Sequence, residues 1–338
     1  MNTRIRRIFI PFAAVAAAGL SGMAIIFMTG RDPSEIVGRL FNATLGSGYG
    51  TGQVLFKTTT LIFTGLAVAL PFKARLFNIG GEGQLQVAAF SAAVTGAMLP
   101  SSLPPIAAVP LTACAAMAAG GIWGASAGVL KVRFGVNEVI STIMLNFIAQ
   151  ALTGYLLTSH FAVPSTEHTA QTGSASMLPG LDEIAGVFRG SPLNVSIFGA
   201  LAVAILSSIF LFRTRAGYEL RAVGAQPDAA SYAGIGSERY ILAVMGAAGA
   251  IAGLGAMNLV SGYKHYYETG MTAGIGFSGI AVALLAGAHP LWIVPAALFF
   301  GFLEYGGLAV GAYVPKDIFM IIQAITILLV IIGTARKT

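Results

Sequence analysis

The chain has 338 residues, 56% hydrophobic and 9% charged, with a mean hydropathy of +0.81 and a formal net charge of +6. A soluble domain carries about 25% charged residues, so this composition excludes a water-soluble enzyme and defines an integral membrane protein. The basic excess needs no nucleic acid to explain it, and the single cysteine, Cys114, excludes an internal disulfide or a cysteine metal cluster.

An apolar run of about 20 residues spans a bilayer. Ten such runs follow one another: roughly 8–28, 54–72, 77–99, 105–130, 136–157, 194–212, 241–261, 272–288, 291–310 and 318–335. Those at 77–99 and 272–288 are short or interrupted by polar residues. The first follows Arg4-Ile-Arg-Arg7 and is too long for a signal-peptide core, so a retained helix is expected. With the N-terminus inside, cytoplasmic segments hold 13 of the 19 lysines and arginines and outer segments hold 6. That asymmetry obeys the positive-inside rule and places both termini in the cytoplasm. The expected fold is an all-α membrane protein, one transmembrane domain over 1–338. An outer loop lies at about 158–193 and a cytoplasmic loop at about 213–240. The short echo between Phe63-Thr-Gly-Leu-Ala-Val-Ala-Leu70 and Phe277-Ser-Gly-Ile-Ala-Val-Ala-Leu284 is weak evidence for a repeat.

Polar side chains inside apolar spans are costly unless they face a partner or a cavity. The densest set is Phe77-Asn-Ile-Gly-Gly-Glu-Gly-Gln-Leu-Gln86. Its glycines permit a broken helix, and Asn78, Glu82 and Gln84 offer hydrogen-bonding groups, as transport sites often do. A structural kink satisfied by a neighbouring helix explains the same residues. Asn146 and Gln150, four apart, share one helix face. Asn258, Glu304 and Gln323 are single polar intrusions in later spans. Asn78, Glu82, Gln84, Asn146, Asn258 and Glu304 are the candidates for lining a translocation path.

Several glycine patterns read as close packing. Gly274-Ile-Gly-Phe-Ser-Gly279 matches a dinucleotide fingerprint but lacks the acid about 20 residues on and lies in a membrane run. Gly120, Gly124 and Gly128, with Gly249 and Gly253, let helix backbones approach. Lys264-His-Tyr-Tyr-Glu268 is expected to be an interfacial belt of aromatic and charged anchors. Asn42-Ala-Thr and Asn194-Val-Ser fit the glycosylation sequon, a weak pattern. The four histidines have no metal-ligand spacing. No phosphate-binding loop of the Gly-x-x-x-x-Gly-Lys-Ser/Thr type occurs.

The segment from Arg213 to Ile235 is a polar island between long apolar runs. Arg213, Arg215, Glu219 and Arg221 fall within nine residues, which belongs in water at a membrane face. In its second half Pro227 can start a helix, Asp228 complements its positive end, and Gly234 can end it. So short a helix is marginal alone and needs a partner to hold it.

Asp228-Ala-Ala-x-x-x-Gly234 resembles the Glu-Ala-Ala-x-x-x-Gly coupling loop of ABC importer permeases, with Asp in place of Glu and without the usual downstream Ile-x-Leu-Pro. Four further blocks resemble the nucleoside and simple-sugar group, related to branched-chain amino-acid and ribose permeases. They are Gly65-Leu-Ala-Val-Ala-Leu with Leu76 to Gln84, Val136 to Asn146, Leu220-Arg-Ala-Val-Gly224 through Tyr232-Ala-Gly-Ile235, and Gly276 to Leu285. They are spread over residues 61 to 287, a span of about two thirds of the chain.

The resemblance implies a permease subunit in a prokaryotic inner membrane, most simply one for nucleosides, with sugars such as ribose as the alternative cargo. It implies a second homologous permease, an extracytoplasmic substrate-binding protein and an ABC ATPase. ATP and Mg would be held on that ATPase, with no cofactor, metal or catalytic residue in this chain. Arg221, Gly224, Pro227, Asp228, Ala229, Ala230 and Gly234 would form the coupling contact. Two rivals stand beside this reading. An ion-coupled transporter would use Glu82, Glu138 or Glu304 as a proton carrier. A membrane enzyme would need a nucleophile–base pair, which no serine or cysteine supplies within the spans.

Overall fold

A computed structural model describes residues 3–100 and 102–335. The described residues are helical, with three isolated bridges in place of any sheet. Each of the ten apolar runs contains one helix. These are α1 (Thr3–Met28), α3 (Gly48–Phe72), α4 (Gly81–Met98), α5 (Pro105–Phe134), α6 (Glu138–Leu156), α8 (Ser196–Arg213), α11 (Ser237–Leu259), α12 (Ile275–Leu285), α13 (Pro290–Ala309) and α14 (Asp317–Ala335). Four lie between the runs: α2 (Pro33–Leu45), α7 (Leu181–Ala185), α9 (Arg215–Ala225) and α10 (Pro227–Tyr232). The inside placement of Arg336 and Lys337 falls outside the described residues, as do the side chains of Arg4, Arg6 and Arg7.

Six helices are long and apolar enough to cross a membrane: α3, α5, α6 extended to Phe161, α8, α11 extended to Lys264, and α13. The apolar part of α1 meets α2 at a 119° bend. Asp32 caps α2 by accepting from the Ser34 amide, with Pro33 at the first helical position. The chain is thus a multi-pass membrane protein.

Two runs differ from the sequence expectation. In 77–99 the helix begins only at Gly81, and in 272–288 it covers 11 residues, Ile275 to Leu285. Both are preceded by non-helical backbone. The eleven residues of α12 rise about 16 Å, half of a hydrocarbon core about 30 Å thick. Its C-terminal turn lies level with the end of α3, where the Lys73 ammonium donates to the Gly287 carbonyl at 3.4 Å. The start of α12 therefore lies deep in the bundle, beside the start of α4.

Small residues set the helix crossings. On α5, a Cβ at Gly120 would stand 2.3 Å from the Gly249 carbonyl oxygen of α11, and one at Gly249 would stand 1.9 Å from the Gly120 oxygen. Gly124 approaches the Met245 carbonyl and Gly253 the Ala116 carbonyl in the same way. These glycines are close-packing positions, as their spacing suggests. α3 is the hub, its residues Thr58 to Pro71 all buried.

The helix order α3–α6 recurs as α11–α14. α5 packs along α11 as α13 packs along α3; α4 meets α11 as α12 meets α3; α6 and α14 lie against α4 and α12 respectively. The Phe63–Leu70 echo does not mark this repeat, because its copies lie on α3 and α12, which are not counterparts. They pack on each other instead: a Cβ on Gly279 would meet Thr64 at 2.7 Å, and one on Gly65 would meet Val282 at 3.0 Å.

Candidate functional site

The polar island folds into two consecutive helices. Thr214 caps α9 through its hydroxyl, which accepts from the Gly217 amide at 3.1 Å. Gln226, extended at φ −156° and ψ 102°, breaks the chain before Pro227 starts α10. Arg215 and Glu219 pair at 2.7 Å one turn apart, and the Tyr240 hydroxyl donates to the other Glu219 oxygen. The Tyr240 hydroxyl, then the Arg215 guanidinium, hold the Glu219 carboxyl below its ordinary pKa.

α10 stands off the body of the protein. Pro227, Asp228, Ala229, Ser231, Tyr232 and Gly234 are exposed, Tyr232 at 94%, and Ala230 alone in the helix is buried. Gly234 follows at φ +79°, the left-handed conformation that ends a helix. α9 is the seated part. A Cβ on Gly224 would lie 2.1 Å from the Lys73 carbonyl oxygen, so α9 rests on the turn after α3. Arg221 lies over the Phe212 ring at 5.3 Å, and that ring stacks on His289 at 5.0 Å. Burial, then the Lys73 charge, push the His289 imidazole below its ordinary pKa. Thus α9 touches the turn after α3 and the end of α8, and the Phe212 ring links it to His289 at the start of α13.

The second cluster lies where α4 and α12 begin. Glu82, in the first turn of α4, accepts from the Thr272 hydroxyl at 2.6 Å and the Gly274 amide at 3.1 Å through one oxygen. Its other oxygen accepts from the Gly276 amide at 2.8 Å. A carboxylate thereby caps the positive end of α12. The approach requires glycine: a Cβ at Gly276 would sit 2.3 Å from the Glu82 nitrogen. Around it, Asn78 and Gln84 exchange two amide hydrogen bonds at 3.0 Å, and Asn78 also donates to the Ala67 carbonyl. Asn146 accepts from the Gly83 amide at 2.8 Å and donates to the Ile79 carbonyl at 3.0 Å. Gln86 donates to Thr153 and Tyr267, both at 3.1 Å.

Asn258 lies apart from this seam. It is fully buried, donates to the Phe56 carbonyl and Thr60 hydroxyl of α3, and accepts from Asn194 and Ser196 at the start of α8. Glu304 on α13 is part-buried, with Ser278 and Lys57 as its polar neighbours. Of the six path candidates, four cluster: Asn78, Glu82, Gln84 and Asn146. All four spend polar groups on neighbouring helices or on one another, the kink arrangement that the glycines permitted. The sequon Asn194 is buried and bonded. In the 264–268 belt, Lys264 and Glu268 pair at 3.0 Å, whereas Tyr267 is 1% exposed and belongs to the core.

Sequence reasoning missed α9 as a seated helix and its Gly224–Lys73 contact. It missed Thr272 and Gly276 as partners of Glu82, although the Gly274-x-Gly276-x-x-Gly279 pattern was the available signal. Among the described residues no group of three His, Cys, Asp or Glu side chains could hold a metal ion.

An all-helical, multi-pass bundle with six helices long and apolar enough to cross a membrane is consistent with a membrane permease. Residues 50–331 match the family described as branched-chain amino acid transport system / permease component, and the chain belongs to that family of ABC transporter permeases. It is 36% identical to the guanosine ABC transporter permease protein NupP of Bacillus subtilis (strain 168), over 98% of this chain and 94% of the relative. It is 34% identical to the glucose ABC transporter permease protein TsgB13 of Haloferax volcanii, over 94% and 85%. The nucleoside ABC transporter permease protein NupB of Lactococcus lactis subsp. cremoris is 33% identical, over 90% and 85%. No solved structure matches.

Proposed function

We propose that this chain is one transmembrane subunit of an ATP-driven importer for nucleosides in a prokaryotic cytoplasmic membrane. The observation that carries the reading is the exposed α10, a six-residue helix held to the body by one buried side chain, Ala230. Full-length similarity to guanosine and nucleoside permeases supports the cargo. α1, α3–α6, α8 and α11–α14 would make ten passages, α4 and α12 being joined to theirs by non-helical backbone. Both termini and the island would then face the cytoplasm, in keeping with the cation asymmetry.

In this reading α10 sits in a groove of a partner ATPase, which holds ATP and Mg. Asp228, Ala229 and Gly234 face that groove, while Arg221 and Gly224 seat α9 on the body. Closure of the ATPase pushes α10; α9 passes the displacement to the ends of α3 and α8 and, through the Phe212 ring, to the start of α13. A second homologous permease completes the path, and an extracytoplasmic binding protein delivers the solute. Asn78, Glu82, Gln84, Asn146 and Asn258 hold the helices that frame the path, and part-buried Glu304 stands beside it.

The similarity to a glucose permease favours a sugar as the second reading. Reconstitution of the chain with its ATPase, second permease and binding protein tests both. ATP-dependent uptake of guanosine or cytidine, outcompeting ribose and glucose, is expected. Glucose uptake without nucleoside uptake overturns the cargo assignment. Uphill transport without the ATPase overturns the mechanism.

A further inference from the structure

In the interiors of the apolar helices, more than two turns from either end with α6 continued to Phe161, the described Asn, Gln, Glu, Ser and Thr side chains are buried or part-buried, with one exception, Gln150 on α6. Its carbonyl accepts from Thr153 at 3.3 Å, but its side-chain amide has no hydrogen-bond partner among the described residues. Gln150 lies about 18 Å along the helix from Glu138, near half-depth in a hydrocarbon core about 30 Å thick. An amide with two donors and two acceptor lone pairs left in lipid there is costly. Its own chain offers nothing to satisfy it, so the Gln150 amide needs a polar partner from outside the chain, on a side of α6 whose other exposed residues, Met144, Ile148 and Leu152, are apolar.

The neighbours say what kind. Phe147, one turn before Gln150, is 63% exposed, and Tyr155 farther along is 61% exposed. Asn146, Ala149 and Thr153, on the flank beside Gln150, turn into the protein onto α4, so Gln150 stands at the edge between the seated and the exposed sides of α6. An unpaired amide flanked by an exposed ring matches a flat heterocycle with donors and acceptors on its edge: the ring takes the face, the amide the edge. A protein contact would need a complementary polar group in the second permease at this one depth. The polar solute of the proposed function supplies the same groups without one.

We infer that Gln150 is a cargo-contacting residue, its amide bonding the nucleobase edge and Phe147 stacking on the base at mid-membrane. This rests on the nucleoside reading and deepens it by naming the side chain that meets the cargo.

The test uses the full transporter in proteoliposomes, with Cys114, exposed on α5, first replaced by Ala. A Gln150→Cys variant is expected to react with a charged, water-soluble thiosulfonate reagent, and guanosine is expected to slow that reaction. Gln150→Leu is expected to raise the half-saturation concentration for guanosine about tenfold, the loss of roughly one buried hydrogen bond. It is also expected to change the ratio of guanosine to cytidine uptake. The second permease should co-purify with Gln150→Leu at the wild-type ratio.

Failure to label means that Gln150 faces lipid, and loss of the second permease means that it is an interface residue; either overturns the assignment. Labelling without guanosine protection, together with unchanged kinetics, overturns it too. In all three cases wild-type nucleoside uptake is retained and the proposed function stands. Absence of nucleoside uptake by the wild-type transporter overturns both.

Discussion

The Glu82 carboxylate accepts the Gly276 backbone amide at 2.8 Å, joining the first turn of α4 to the first turn of α12. These helices hold matching places in the two halves of the chain, so one side chain of the first half caps a helix of the second. The Thr272 hydroxyl and Gly274 amide complete its shell.

Replacing Glu82 by Ala should leave three donors without their acceptor. Hydrogen bonds to a charged group contribute about 1.5–3 kcal/mol each, and losses at one site do not add fully. A destabilisation of about 3 kcal/mol is expected, read as a lower midpoint of thermal unfolding in detergent. Glu82→Gln, which keeps one acceptor oxygen, should lose less. Equal midpoints for wild type and Glu82→Ala would show that the cap is idle.

Gly224→Val should act at the lever instead of the core. Its side chain would meet the Lys73 carbonyl, 2.1 Å from the Cβ position, and lift α9 off the turn after α3. ATP-dependent uptake is expected to drop at least tenfold while membrane insertion persists. Asp228→Lys and Arg221→Glu should lower uptake in the same direction. Normal uptake by all three would remove the island from the mechanism.

Gly249→Leu should disrupt the α5–α11 crossing, where Gly120 and Gly249 carbonyls occupy the space of a side chain. Overpacking of this kind costs about 1–3 kcal/mol, and more where only backbone could yield. Loss of folded protein on size-exclusion chromatography is expected, with Gly249→Ala intermediate. Gly199, whose Cβ position is open, is the control and should tolerate Ala.

Uptake should also weaken in acid through His289. Its imidazole pKa lies below the ordinary 6.5 because of burial and the nearby Lys73. A histidine depressed in the folded state contributes stability above its unfolded pKa, and that contribution is lost as pH falls through the folded value. Protonation would set a third cation beside Lys73 and Arg221 around the Phe212 stack. Coupled uptake is expected to decline as the pH falls below the ordinary 6.5 and through the lower folded value, and His289→Gln should flatten that limb. An unchanged pH profile in His289→Gln would assign the decline elsewhere.

Much of this arrangement was legible in the sequence because hydrocarbon imposes one rule, satisfaction of every backbone group within the helix. The ten apolar runs each yielded a helix for that reason, and Pro227 with Gly234 marked α10 at both ends. Composition could not show that 73–80 and 265–274 are non-helical. Leu76, Phe77 and Met271 look like span residues, and some of the polar partners that satisfy the backbone of these two segments come from far along the chain: Asn146 to the Ile79 carbonyl, Thr169 to the Tyr267 amide. α9 was hidden for a related reason. Its polar surface reads as a solvated connector, and contacts made only in the fold, Gly224 against Lys73 and Arg221 over Phe212, show that it is seated. Path candidates such as Asn78 and Gln84 were chosen for polarity, which cannot tell a side chain that meets solute from one that meets its neighbour.

The converging starts of α4 and α12 bear on how the two halves of the chain can move against each other. Two helix dipoles aim their positive ends at one spot deep in the bundle, where Gly81 and Gly276 backbones lie close and the Glu82 oxygens meet the donors that precede and open α12. The carboxylate offsets those positive ends, so drawing the two helix starts apart would leave the start of α12 and its three donors uncompensated. Such a seam acts as a pivot: the halves can tilt about it, but they part there only at a cost.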